Sequence, residues 1–126
     1  MAAPARIALE DEDGVPVARI LDRQVLDDRV VREVGDQLFA AVPASGPFGL
    51  IVDFSAVGNI SSACIGRVVM LQRRADLVKG RLRLCGMSPA VRDVFKVTNL
   101  DRVVTIARDR REAREAFVDV RSSDSI

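Results

Sequence analysis

Val52–Leu71 reads VDFSAVGNISSACIGRVVML. It opens as a strand, passes through a short polar turn carrying Ser61 and Ser62, and continues as an amphipathic helix. Upstream, Phe48–Phe54 is an almost unbroken apolar run, the pattern of a strand covered on both faces and therefore central in a sheet. Ser55–Ile60 reads as the turn region. From Ser62 onward the apolar residues Ile65, Val68, Leu71, Ala75 and Val78 recur at helical spacing, with Arg67, Arg73, Arg74 and Asp76 outside them. A buried strand that feeds a helix through a short turn is the building unit of a parallel α/β sheet.

The flanks extend this unit in both directions. Toward the N-terminus, Ala5–Glu10 and Val15–Leu21 read as strands joined into a hairpin by Asp11–Gly14. Pro16 cannot donate to a ladder, so it belongs at a strand start or a free edge. Asp27 or Asp28 then caps a helix in which Val30, Val31, Val34, Leu38, Ala41 and Val42 share one face and Pro43 marks the end. Toward the C-terminus, Lys79-Gly80 closes the second helix, with the glycine suited to a left-handed cap. Arg81–Cys85 is a strand, and Ser88-Pro89 is an N-cap with proline at the first helical position of a short helix through Val97. Val103–Ala107 reads as the last strand, and Asp109 starts a final helix to about Val118. Residues 1–4 and 121–126 are expected to be mobile ends of one domain spanning 1–126. The order is β-β-α-β-α-β-α-β-α, a single-domain α/β fold with a mixed, mostly parallel sheet of about five strands and about four helices.

Composition narrows the chemistry. The 126 residues are 48% hydrophobic and 29% charged with a net charge of +1, a balance that calls for neither nucleic acid nor an anionic membrane. There is no histidine, tryptophan or tyrosine, so the commonest general base and transition-metal ligand is missing. Cys64 and Cys85 form no CxxC pair and lie in apolar runs, which reads as two buried small hydrophobes in a reducing compartment. The first residues lack the apolar core of a signal peptide, and no apolar run approaches the ~20 residues of a membrane helix. A cytoplasmic location is expected. G-x-G-x-x-G and Walker A patterns are absent. The expectation is a protein that is not an enzyme and uses no cofactor or metal.

The serine turn itself offers two kinds of chemistry. A nucleophilic serine needs a base, and the acids at hand are Asp53 and, more remotely, Asp93 and Asp101. A helix N-terminus, by contrast, favours an oxyanion, and phosphorylation there would add about −1.5 to −2 charges at pH 7. Beside this stands the plain reading of a helix-start serine as an N-cap worth ~1 kcal/mol. Spacing alone does not separate Ser61 from Ser62. Cys64 has two readings as well: a thiol activated by the helix end or a packing residue, of which packing is favoured.

From Leu50 to Phe117 the sequence resembles the STAS domain, named for sulphate transporters and anti-sigma factor antagonists. The pieces are LIVDFSAV (Leu50–Val57), NISSACIG (Asn59–Gly66), the amphipathic helix, and GRLRLCGMSPAVRDVFKVTNLDRVVTI (Gly80–Ile106). The resemblance implies a bacterial regulatory module that binds an anti-sigma factor. In this family that partner is also a serine kinase of the histidine-kinase-like ATPase fold, and a serine phosphatase reverses its action. It further implies that Ser62 is the phosphoacceptor, with Ser61 as fallback, and that Asn59, Ser61, Ser62, Ala63, Cys64 and Ile65 form the partner surface. The family turn usually runs Asp-Ser-Ser/Thr-Gly; here it is Ser61-Ser62-Ala63-Cys64. Two alternatives stay open: an unswitched scaffold subunit of a sensory assembly, and a small-molecule-binding STAS domain. Homo-oligomerisation is left open too.

Overall fold

The computed structural model describes residues 3–115 and 117. Strand β1 (Ile7–Glu12) pairs antiparallel with β2 (Val15–Ile20) from Ile7↔Ile20 to Glu12↔Val15, so the hairpin turn is the two residues Asp13-Gly14. Next in chain order come β3 (Gln24–Val25) and helix α1 (Asp28–Ala40). They are followed by β4 (Gly49–Asp53), β5 (Asn59–Ile60) and α2 (Ser62–Leu77). Beyond α2 lie β6 (Arg81–Cys85), α3 (Pro89–Val97) and β7 (Ile106–Ala107), then α4, helical at 110–115 and 117. The main sheet has the order β1-β2-β4-β6-β7, and every pairing after the hairpin is parallel.

β4 is central, as its apolar run predicts. Leu50 and Val52 join a core with Val34 and Leu38 of α1, Ile65 and Val68 of α2, and Val91 and Phe95 of α3. Ile51 points to the opposite face, where it packs with Val17, Cys85, Ala107 and the α4 residues Ala113 and Phe117. Helices therefore cover both faces of the sheet. Full burial of each such aliphatic side chain stabilises by roughly 1.5–3 kcal/mol.

The helix starts follow their caps. Asp27, not Asp28, caps α1: its Oδ1 accepts from Arg29 N at 2.8 Å and Val30 N at 3.4 Å. Ser88 Oγ accepts from Val91 N at 3.3 Å at the head of α3, with Pro89 following. Asp109 Oδ1 accepts from Glu112 N at 2.9 Å at the head of α4. The expected end of α4 near Val118, and most of the expected mobile ends, lie outside the described residues. Pro4, expected to be mobile, has its carbonyl held by Gln37 Nε2 at 2.8 Å.

Four local expectations change. Ser55–Ile60 is not all turn, because Asn59–Ile60 pairs with Gln24–Val25 in a second, two-stranded parallel sheet. The left-handed residue that closes α2 is Lys79 (φ 59°), not Gly80. Gly80 is required for a different reason: a Cβ there would sit 2.6 Å from the Phe48 carbonyl oxygen. The last strand shrinks to two residues: Leu100–Arg102 forms a 3-10 turn entered by left-handed Asn99, and Val103 N and Val104 N donate back to the Leu100 carbonyl at 3.0 and 3.3 Å. The hairpin strands also shift, β1 running on through Glu12 rather than stopping at Glu10.

Candidate functional site

The serine turn lies at the carboxyl end of β4, where open α/β sheets tend to carry their binding sites. The chain leaves β4 with Phe54 buried and in edge contact with Phe95, ring centroids 6.4 Å apart. It is then tied down by the small second sheet. Gly58 N and Asn59 N donate to the Arg23 carbonyl at 2.7 and 3.2 Å, and Ser61 N donates to the Val25 carbonyl at 2.9 Å. These bonds fix the direction from which the chain enters α2.

That entry separates the two serines. Ser61 is the N-cap of α2, in an extended conformation, and its Oγ accepts from Cys64 N at 3.2 Å. Ser62 is the first helical residue and is exposed, and its hydroxyl has no hydrogen-bond partner among the described residues. Ala63 and Asn59 are also exposed. The expectation that Cys64 and Ile65 belong to the same partner surface gives way to their burial at 1% and 0% exposure. α2 turns both side chains into the core, where they anchor its first turn.

Burial also decides the chemistry of Cys64. A helix N-terminus and Arg67 favour a thiolate, but desolvation is the larger effect and pushes the thiol up to about 12. Cys85, buried on the far side of the sheet beside Asp53, is likewise pushed up to about 12. Both cysteines are packing residues.

Asp53 is not a base for the serines. It is buried, and its carboxylate turns to the α4 face of the sheet. There Oδ1 accepts from Ser55 N at 2.8 Å and Oδ2 from Arg110 Nε at 2.7 Å. Arg110 also donates to Glu10, which in turn accepts from Arg19 Nη2 at 3.0 Å. Sequence reasoning missed this four-member network because its members come from β4, α4, β1 and β2. No local pattern connects residues 57 and 100 positions apart. It missed Leu26 as well: this exposed residue follows Val25, whose carbonyl receives the Ser61 amide, and so lies beside the turn.

Among the described residues no group of three or more Cys, Asp or Glu could hold a metal ion, and no helix is long and apolar enough to cross a membrane. Five surface hollows of about 240–310 Å³ among the described residues are lined elsewhere, and Asn59 and Ser61–Ile65 line none of these five.

Comparison with known proteins agrees with this geometry. The family model described as Mlab, STAS domain matches residues 23–105. BtrV of Bordetella bronchiseptica, assigned as an anti-sigma factor antagonist, is 26% identical over 112 residues, covering 89% of this chain and 94% of BtrV. An anti-sigma-factor antagonist (STAS) domain protein from Planctomyces limnophilus superposes with a TM-score of 0.78 at 24% identity, covering 90% of this chain and 99% of that one. The anti-sigma factor antagonist SpoIIAA in its unphosphorylated form superposes with a TM-score of 0.65 at 25% identity, covering 92% and 96%. With more than half of its length matched by the family model, and with the strand, turn and helix in the expected places, this chain belongs to the STAS domain family.

Proposed function

We propose that this chain is a regulatory protein-binding module of the anti-sigma factor antagonist type, acting in the cytoplasm by binding rather than by catalysis. Its partner is an anti-sigma factor that is also a serine kinase of the histidine-kinase-like ATPase fold. Phosphorylation of Ser62 weakens that binding, and a serine phosphatase restores it. The observation that carries the reading is the division of labour at the head of α2. Ser61 Oγ is engaged in capping, while the Ser62 hydroxyl is exposed and uncommitted. A phosphate on Ser62 would stand beside the positive end of α2, which tolerates it. The effect of modification is then a changed surface rather than a melted helix.

The turn's departures from the usual family pattern fit this reading. Ser61 replaces an aspartate, and both residues are good N-caps. Cys64 replaces a glycine, but its side chain is in the core and leaves the exposed side of the turn small. Coexpression with kinase-type anti-sigma factors, followed by intact mass and calorimetry, tests the proposal. We expect a gain of one phosphate that persists in Ser61→Ala and vanishes in Ser62→Ala, and a Ser62→Glu variant that binds at least tenfold more weakly (~1.4 kcal/mol). Absence of binding to any such kinase in every nucleotide state would reject it.

A further inference from the structure

Far from the serine turn, α1 and α2 leave a hollow of about 280 Å³ lined by Phe39, Met70, Arg73, Arg74 and Leu77. Two of these are large apolar side chains left in solvent: Met70 is 59% and Leu77 84% exposed. On α2 they stand seven residues apart with the arginines between them, which is the i, i+3, i+4, i+7 spacing that places them on one helix face. Phe39 closes the floor from α1.

The two charged residues that line this hollow, Arg73 and Arg74, are both cationic. Arg73 has no ion pair among the described residues. Arg74 donates only to the carbonyls of Pro43 and Ala44, which leaves its charge unneutralised. No carboxylate lines the hollow: Asp36 lies 3.8 Å from Arg67, and Asp76, outside the lining, keeps its charge while accepting from Gln72 Nε2 at 2.9 Å. An apolar floor with a cationic rim matches a helix that presents leucine-like anchors flanked by carboxylates.

We infer that this groove docks an acidic amphipathic helix of a partner protein. Its α2 residues lie from about 12 Å (Met70) to about 22 Å (Leu77) along the helix from Ser62, at 1.5 Å per residue. That separation puts it beyond the direct reach of a phosphate at the helix head. It is an anchoring surface whose affinity does not depend on the state of Ser62, so it stands apart from the switch proposed above.

The test uses the full chain, isotope-labelled for NMR, and a synthetic helical peptide with leucines at i, i+3, i+4 and i+7 and glutamates at the flanks. We expect saturable shifts of the Met70 and Leu77 methyl signals, weaker binding as salt rises, and affinity at least tenfold lower in Leu77→Glu and in Arg73→Glu. Ser62→Glu should bind the peptide like the parent, which separates this surface from the serine switch. The inference is overturned if the peptide shifts no signal at the groove or shifts signals elsewhere. Equal binding of a peptide with lysines in place of the glutamates overturns it too. So does concentration-dependent self-association abolished by Leu77→Glu, which would make a second copy the occupant. Binding to anionic vesicles through the same residues would assign the groove to a membrane surface and overturn it likewise.

Discussion

Adjacent residues of one type can carry opposite consequences. Ser61 closes the amide of Cys64, so Ser61→Ala should lower stability by ~1 kcal/mol, whereas Ser61→Asp should be close to neutral. Ser62 caps nothing, so Ser62→Ala should stay within about 0.5 kcal/mol of the parent. Urea midpoints of the three variants decide this; a loss from Ser62→Ala as large as that from Ser61→Ala would contradict the cap assignment. Gly86 is a second position where one atom matters. Its φ is 72°, and a Cβ would lie 2.7 Å from Asp53 Oδ1 and 3.1 Å from Ser55 N. Gly86→Ala should therefore cost at least the ~1–3 kcal/mol of a strained left-handed residue, visible as a lower thermal midpoint. The steric conflict is with the loop leaving β4, so the cost should be accompanied by amide shifts at Ser55.

Helices and strands differ in how openly the sequence announces them. β4 is legible because a strand covered on both faces needs apolar residues in succession, and Leu50–Val52 supply them without a break. α3 is legible because Ser88-Pro89 combines a cap with a residue that fits only the first turn. β3 and β5 are not, since two-residue strands have no period, and Gln24 finds Asn59 only after α1 has been placed between them. Within the site, the family pattern finds Ser62, but only the fold shows that Cys64 and Ile65 face inward. α2 starts one residue after Ser61, and the helical period then carries positions 64 and 65 to the core. This placement makes a prediction about the first turn of α2. Cys64, like Cys85, should resist a thiol reagent in the native protein and react only as fast as the chain unfolds globally, since burial pushes both thiols up to about 12. Fast modification of Cys64 with slow modification of Cys85 would show that the head of α2 opens locally.

At the scale of the whole molecule, charge ties together elements that the hydrophobic core leaves separate. Glu10 of β1, Arg19 of β2, Asp53 of β4 and Arg110 of α4 form one network across the α4 face of the sheet. Arg6 does the same on the other side, joining the start of β1 to Glu33 of α1 and to Asp22 at 2.9 and 2.8 Å. Hydrogen bonds from Arg19 and then Arg110 hold the Glu10 carboxyl at about 2, below its ordinary value of 4.5. Arg6 lowers Glu33 in the same sense. A carboxyl that is more acidic in the folded chain than in the unfolded one favours the folded state when ionised. The contribution of Glu10 is complete above about pH 4.5 and is lost as the pH falls toward about 2. Between those values the unfolded chain binds more protons, so stability should decline with acid. In Glu10→Gln the stability at neutral pH should be lower, but its slope between pH 4.5 and 2.5 should be shallower than in the parent. Urea unfolding across that range, followed by circular dichroism, reads both quantities together. Parallel curves for parent and variant would mean that Glu10 titrates normally and that the network does not couple the hairpin to α4. A shallower slope, with α4 amides exchanging faster in the variant, would place the acid sensitivity of this fold in the link between β1 and α4.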